Sequence, residues 1–174
     1  MTDVIRESFL LAQERDALQL ASDSDIVSLE PLGQRPFSRY VLEFNARSVV
    51  TGAAGPLEAS RVFAVGVWFP SDYLHRVVAP LVLTWLAPNE IHHPNVRSPQ
   101  ICLGTLRPGT PLVEICFRLY AVISYQNFGL ASPLNVTAAA WARSNLQRFP
   151  VDPRPLKRRV IDFKTQVFER RSAP

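Results

Sequence analysis

The sequence predicts an α+β fold: an N-terminal helix, a four-stranded antiparallel meander, a long irregular loop and C-terminal helices. Three observations carry this. Apolar residues recur at helical spacing near both ends of the chain and with a period of two between about residues 25 and 88. The strand-like segments follow one another through connections too short for a parallel crossover. The stretch from Asn89 to Gly109 has neither period, and the helices that follow it cover a sheet rather than alternate with strands. At 174 residues, 47% hydrophobic and 20% charged, the chain has a globular composition and the length of a single domain, 1–174.

The elements read in order as follows. Residues 4–21 place Ile5, Phe9, Ala12 and Leu20 on one side of an amphipathic helix that Asp23, Ser24 and Asp25 end. DIVSLEPL is a short strand closed by Gly33 and Pro36. FSRYVLEF alternates, with Tyr40, Leu42 and Phe44 on one face, and TGAAGP is a loop. SRVFAVGVWFP is a more apolar, central strand facing the core with Phe63, Val65, Val67 and Phe69, and APLVLTWLAP is the fourth. An irregular segment of about twenty residues inside a compact domain is uncommon and often functional. It ends at Thr110-Pro111, an N-cap and first-turn pair that opens a helix over 111–125 with Leu112, Ile115, Cys116, Leu119 and Ile123 inward. Phe128-Gly129 breaks it. A second helix spans 134–148, with Ala138, Ala142 and Leu146 inward. After a DPRP break, a basic helix over 156–170 presents Val160, Phe163 and Val167.

Composition bounds the partners. No apolar run approaches the roughly 18 residues of a membrane span, and the N-terminus lacks a secretory pattern. With two cysteines no disulfide framework is needed, so a cytoplasmic protein without membrane contact is expected. Net charge is +4, and residues 143–174 hold nine Lys/Arg against three Asp/Glu. The plainer reading of that basic end is a solvated helix face; nucleic-acid binding is the weaker one. Two lysines, Lys157 and Lys164, stand against 17 arginines. The arginine bias fits a GC-rich bacterial genome.

The chemistry concentrates in IHHPNVRSPQICLGTLRPGTPL, Ile91 to Leu112. Cys116 lies on an apolar helix face and reads as a small core hydrophobe. Cys102, between Ile101 and Leu103 in the irregular stretch, could be a buried thiol, a metal ligand or a nucleophile. His92, His93 and Cys102 supply at most three metal ligands, and adjacent histidines rarely point the same way. For a cysteine hydrolase His93 could be the base, but nothing marks the orienting third group.

These residues carry a resemblance. His93-Pro94-Asn95 followed by Ile101-Cys102-Leu103 resembles the active-site signature of ubiquitin-conjugating enzymes. Further matches follow the family's order over about residues 63–140: Phe69-Pro70-Ser71-Asp72-Tyr73 with Ala79-Pro80, Pro111-Leu112, and Ser132-Pro133-Leu134-Asn135 with Ala138-Ala139. The resemblance implies a ubiquitin-conjugating-enzyme-like fold. It implies that Cys102 takes the C-terminal carboxyl of a ubiquitin-like protein from an activating enzyme as a thioester and passes it to an amine or thiol, with no cofactor. It makes Asn95 the loop-ordering residue and oxyanion donor, His93 and Pro94 scaffold, and Ser132 the gate position. The alternatives are a non-catalytic module of the same fold that binds a ubiquitin-like protein, and a cysteine hydrolase.

The chain also departs from the family pattern. Cys102 follows Asn95 one residue sooner than is common, Gly104 and Ser132 stand where acidic residues are usual, Gly109 stands where tryptophan is usual, and Leu74-His75 replace the Pro-Phe loop that contacts activating enzymes and ligases. The thioester step survives these changes, whereas the need for a ligase is left open. With the composition, they point to a bacterial relative in a ubiquitin-like conjugation pathway. Such systems typically include a deconjugating metalloprotease and often act in phage defence. Few lysines would also limit self-modification by a lysine-reactive thioester.

Overall fold

The computed structural model describes residues 3–158. Helix α1 (Val4–Ser22) is capped by Asp3, whose carboxylate accepts the Arg6 N–H at 3.0 Å. Its buried side is Leu10, Gln13, Ala17 and Leu20, spaced three and four apart. The expected face of Ile5, Phe9, Ala12 and Leu20 is therefore turned partly out of the core: Ile5 is exposed, and Phe9 and Ala12 are half-buried. The reason is Gln13. Its Oε1 accepts the Leu112 N–H at 2.7 Å, supplying a partner to the start of a distant helix, while its Nε2 donates to the Phe9 carbonyl at 3.3 Å. A polar side chain thus occupies a core position that a hydrophobic pattern assigns to the surface.

Four antiparallel strands follow in spatial and sequence order: β1 (Val27–Leu32), β2 (Arg39–Gly52), β3 (Gly55–Trp68) and β4 (Leu83–Ala87). Their inner face carries Tyr40, Leu42, Phe44, Phe63, Val65 and Val67, all buried as the alternation predicts, and Phe69 is buried just beyond β3. Two boundaries differ from expectation. Gly52 pairs with Gly55, so only Ala53 and Ala54 separate β2 from β3, and most of the expected TGAAGP loop is strand. Ala79–Val82 form a single helical turn, α2, with Pro80 in its first turn, so the fourth strand starts only at Leu83.

Because β1 pairs only with Arg39 to Phe44, the rest of that edge of β2 is open to other partners. The chain after β4 takes it: Thr51 N–H donates to the Glu90 carbonyl at 2.7 Å, and His92 N–H to the Val49 carbonyl at 2.9 Å. The irregular stretch is therefore anchored on the sheet. It then forms a small antiparallel pair, β5 (Val96–Arg97) and β6 (Gln100–Ile101).

Helix α3 (Leu112–Ile123) buries Leu112, Ile115, Cys116, Leu119 and Ile123, as predicted. It starts one residue later than expected, and Thr110 does not cap it: its hydroxyl donates to the Arg107 carbonyl and accepts the Arg107 N–H. Helix α4 (Val136–Arg143) is capped by Asn135, whose Oδ1 accepts the Ala138 N–H at 3.0 Å. Ala138 and Ala142 are inward, but Leu146 is exposed, because the helix stops at Arg143 and Leu146–Arg148 form a 3-10 turn. The Asn145 amide donates to the Trp141 carbonyl at 2.8 Å and satisfies one of the helix's last acceptors. The expected basic helix over 156–170 lies, but for its first residues, outside the described residues.

A second, smaller core fixes the end of α3. Tyr125 has φ of +59°, a left-handed conformation that costs about 1–3 kcal/mol for a bulky residue. Its ring stacks on Phe149 at 4.4 Å and packs edge-on against His93 at 4.3 Å, and its hydroxyl donates to the His92 carbonyl. His92 Nδ1 lies 3.2 Å from the Thr51 hydroxyl, and His93 Nδ1 accepts the Asn95 N–H at 3.0 Å; neither histidine Nε2 finds a partner among the described residues. Burial pushes both imidazoles down, His93 to about 3 with a further contribution from His92.

This carries a pH dependence of known sign. His93 is neutral when folded, whereas the unfolded chain binds a proton near the ordinary value of 6.5. Stability should be full above that pH and fall at up to about 1.4 kcal/mol per pH unit below it, levelling only near the folded value. Urea unfolding between pH 7 and 5, above most carboxylate titrations, reads it. The wild-type stability is expected to fall across that window and the slope to flatten in His93→Gln; a flat wild-type profile contradicts the burial of a neutral imidazole.

Candidate functional site

Cys102 is exposed, and its neighbours explain why. Ile101 and Leu103 are buried at 8% and 7% exposure, and in an extended segment alternate side chains point to opposite sides. Anchoring the two apolar neighbours therefore turns the thiol outward. Gly104, next in the chain, has φ of +77°, which bends the segment away in a conformation that a side chain would strain. The acidic residue expected at this point from the resemblance would not sit easily on that backbone. Gly109 has the same character, with φ of +73°, in the turn before Thr110.

Asn95 is the nearest organising side chain. Its Nδ2 donates to the Cys102 carbonyl at 3.0 Å, and its Oδ1 accepts the Gly129 N–H at 2.6 Å. Its own carbonyl accepts the Cys102 N–H at 2.8 Å. The cysteine backbone is thus held on both its N–H and its C=O by one residue, and the same amide holds the segment after α3. An asparagine amide has two N–H groups, so one donor of Nδ2 remains beyond the bond to Cys102.

His93 is fully buried, with Nδ1 occupied and Nε2 enclosed by protein. Neither nitrogen is presented to the exposed thiol. Pro94 is buried, and its carbonyl accepts the Asn135 N–H at 3.1 Å, which ties the segment to the start of α4. Ser132 is exposed in the turn between α3 and α4. The structure brings Leu134 to the cysteine's groove but does not place Ser132 among its walls. Among the described residues no cluster of three or more His, Cys, Asp and Glu side chains could hold a metal ion. Cys116 is buried, and burial pushes its thiol up to about 12, so it is the inert thiol of the two.

Beside Cys102 runs a groove of about 470 Å³, walled by α2, the start of β4, the β5–β6 turn, Gly104 and Leu134. Among the described residues, none that lines it is charged. Gln13 and Tyr125 support the site from a distance and were not singled out by sequence. Gln13 looks like a surface residue in a helix of modest pattern, and a left-handed tyrosine leaves no local signature.

Among the described residues no helix is long and apolar enough to cross a membrane. No protein-family model and no curated protein matches this sequence. Among solved structures, the E2 domain of a Toxoplasma gondii ubiquitin conjugating enzyme is similar at a TM-score of 0.54 and 18% identity, over 84% of this chain and 92% of that one. The N-terminal helix, the four-stranded antiparallel sheet and the helices that follow are therefore arranged in the ubiquitin-conjugating-enzyme-like fold.

Proposed function

We propose that this chain is a conjugating enzyme that accepts a ubiquitin-like protein from an activating enzyme as a thioester on Cys102 and transfers it to a target amine or thiol. The observation that carries the reading is the exposed Cys102, whose backbone is held at both its N–H and its C=O by Asn95 within this fold. In loading, the Cys102 thiolate attacks the activated carboxyl carbonyl of the incoming protein and displaces the thiolate that carried it. In discharge, an amine or a second thiol attacks the same carbonyl, the attacking group gives up its proton, and the C–S bond breaks to release the Cys102 thiolate. Negative charge develops on the carbonyl oxygen during the attack, and the free N–H of the Asn95 amide is the donor proposed to meet it. Because that amide is already fixed by Cys102 and Gly129, little reorganisation accompanies the reaction.

His93 and Pro94 act as scaffold in this reading, and Ser132 is assigned the gate position by resemblance alone, since it stands outside the walls of the groove. The resemblance and the arginine-rich composition support a role in a bacterial ubiquitin-like pathway, of the kind that includes a deconjugating metalloprotease and serves phage defence. Exposure of the thiol favours this reading over a non-catalytic binding module, and the enclosure of His93 disfavours a cysteine hydrolase.

Incubation with an activating enzyme, ATP and a ubiquitin-like protein tests the assignment on a non-reducing gel. A thiol-sensitive adduct is expected in the wild type and in Cys116→Ala but not in Cys102→Ala; an adduct that persists without Cys102 contradicts it. Asn95→Ala separates loading from transfer. Discharge to free lysine is expected to slow by about 100-fold, the effect of one oxyanion donor, while loading changes little. Equal loss of both steps in a folded variant would show that Asn95 only shapes the loop.

A further inference from the structure

We infer that the uncharged groove beside Cys102 selects the carried protein by the residues that precede its C-terminal carboxyl: it takes an extended, uncharged, apolar tail and discriminates against a basic one. The inference rests on the thioester reading above and names the chemistry of its donor. An acyl group bonded to Sγ places its preceding residues along the surface at about 3.3–3.6 Å each. Cys102 lines this groove, which is walled by Pro80, Leu83, Ile101, Leu103 and Leu134, with Thr84 and Gln100 the polar side chains among the described residues. Those two are uncharged and exposed, suited to a peptide backbone rather than to an ion. Charged residues make up 20% of the chain, yet among the described residues none lines the groove, and at Gly104, where a carboxylate could have faced a basic tail, there is no side chain. A guanidinium entering such a groove leaves water without gaining a counter-ion, whereas an apolar side chain gains from the same burial.

The test uses two acetylated hexapeptide thioesters of 2-mercaptoethanesulfonate, both ending in Gly-Gly, one with leucine and valine before the glycines and one with arginine there. The Cys102 thiolate displaces the 2-mercaptoethanesulfonate thiolate, so one thioester bond breaks and one forms without ATP or any redox partner. Intact mass follows acylation, Cys102→Ala supplies the background, and iodoacetamide measures the bare reactivity of the thiol. The apolar peptide is expected to acylate Cys102 about tenfold faster than the arginine peptide. Thr84→Glu, at an exposed position of the groove, is expected to narrow or reverse that ratio, each acylation rate being taken relative to the same protein's iodoacetamide rate. Equal rates for the two peptides in the wild type, or a ratio that Thr84→Glu does not move, overturn the inference and leave the carrier reading standing. If neither peptide acylates Cys102 although iodoacetamide alkylates it, the carrier reading itself fails and the inference with it.

Discussion

The side-chain amide of Asn95 is the interaction on which the site depends. From Asn89 to Gly109 the chain has only the short β5–β6 pair for regular structure, so its backbone donors and acceptors need other partners. One amide partners the Cys102 carbonyl with its donor end and ties the stretch to the Gly129 N–H, beyond α3, with its acceptor end. Its reach makes the loop's shape a consequence of packing elsewhere. Gly129 is placed by the break after α3, that break by the left-handed Tyr125, and Tyr125 by its stack on Phe149 and its edge contact with His93. His93 in turn accepts the N–H of Asn95 itself. The chain of contacts closes on the residue where it began.

This closure explains how an exposed nucleophile can sit on an irregular loop without that loop depending on the nucleophile's side chain. Every tether to Cys102 is a backbone bond or passes through its apolar neighbours, so the thiol is left without a structural task. It also explains why a buried neutral histidine is tolerated. Burial of an imidazole whose Nε2 finds no partner among the described residues carries a cost. The ring also supplies an acceptor to the loop and a surface for Tyr125. The two adjacent histidines, which invite a reading as metal ligands or as a base, are instead enclosed in the protein with their Nδ1 atoms engaged internally.

Much of the architecture could be read from the sequence because it is written in local periodicity. The alternation through Tyr40, Leu42 and Phe44 and the 3.6-residue spacing in α3 give the buried faces directly. The misread parts share a cause: a specific side-chain hydrogen bond decides each of them, and hydrophobic periodicity does not encode it. The face of α1 turns because Gln13 meets Leu112, α4 ends where Asn145 captures the Trp141 carbonyl, and the Thr110 hydroxyl is claimed by Arg107. At the site, the residues alone left Cys102 open between a buried thiol, a metal ligand and a nucleophile, and Cys102 and Asn95 were singled out by resemblance. The uncharged groove was not legible, because its walls come from three separate segments of the chain, and Ser132, singled out by motif, stands outside those walls.

Native-state hydrogen exchange followed residue by residue by NMR, comparing the wild type with Asn95→Ala, tests most directly whether that amide organises the loop. The account predicts that protection is lost at the Gly129 N–H and reduced at the Cys102 N–H, while the strands around Leu42 and Val65 keep theirs. Unchanged protection at both Gly129 and Cys102 in the variant would contradict it.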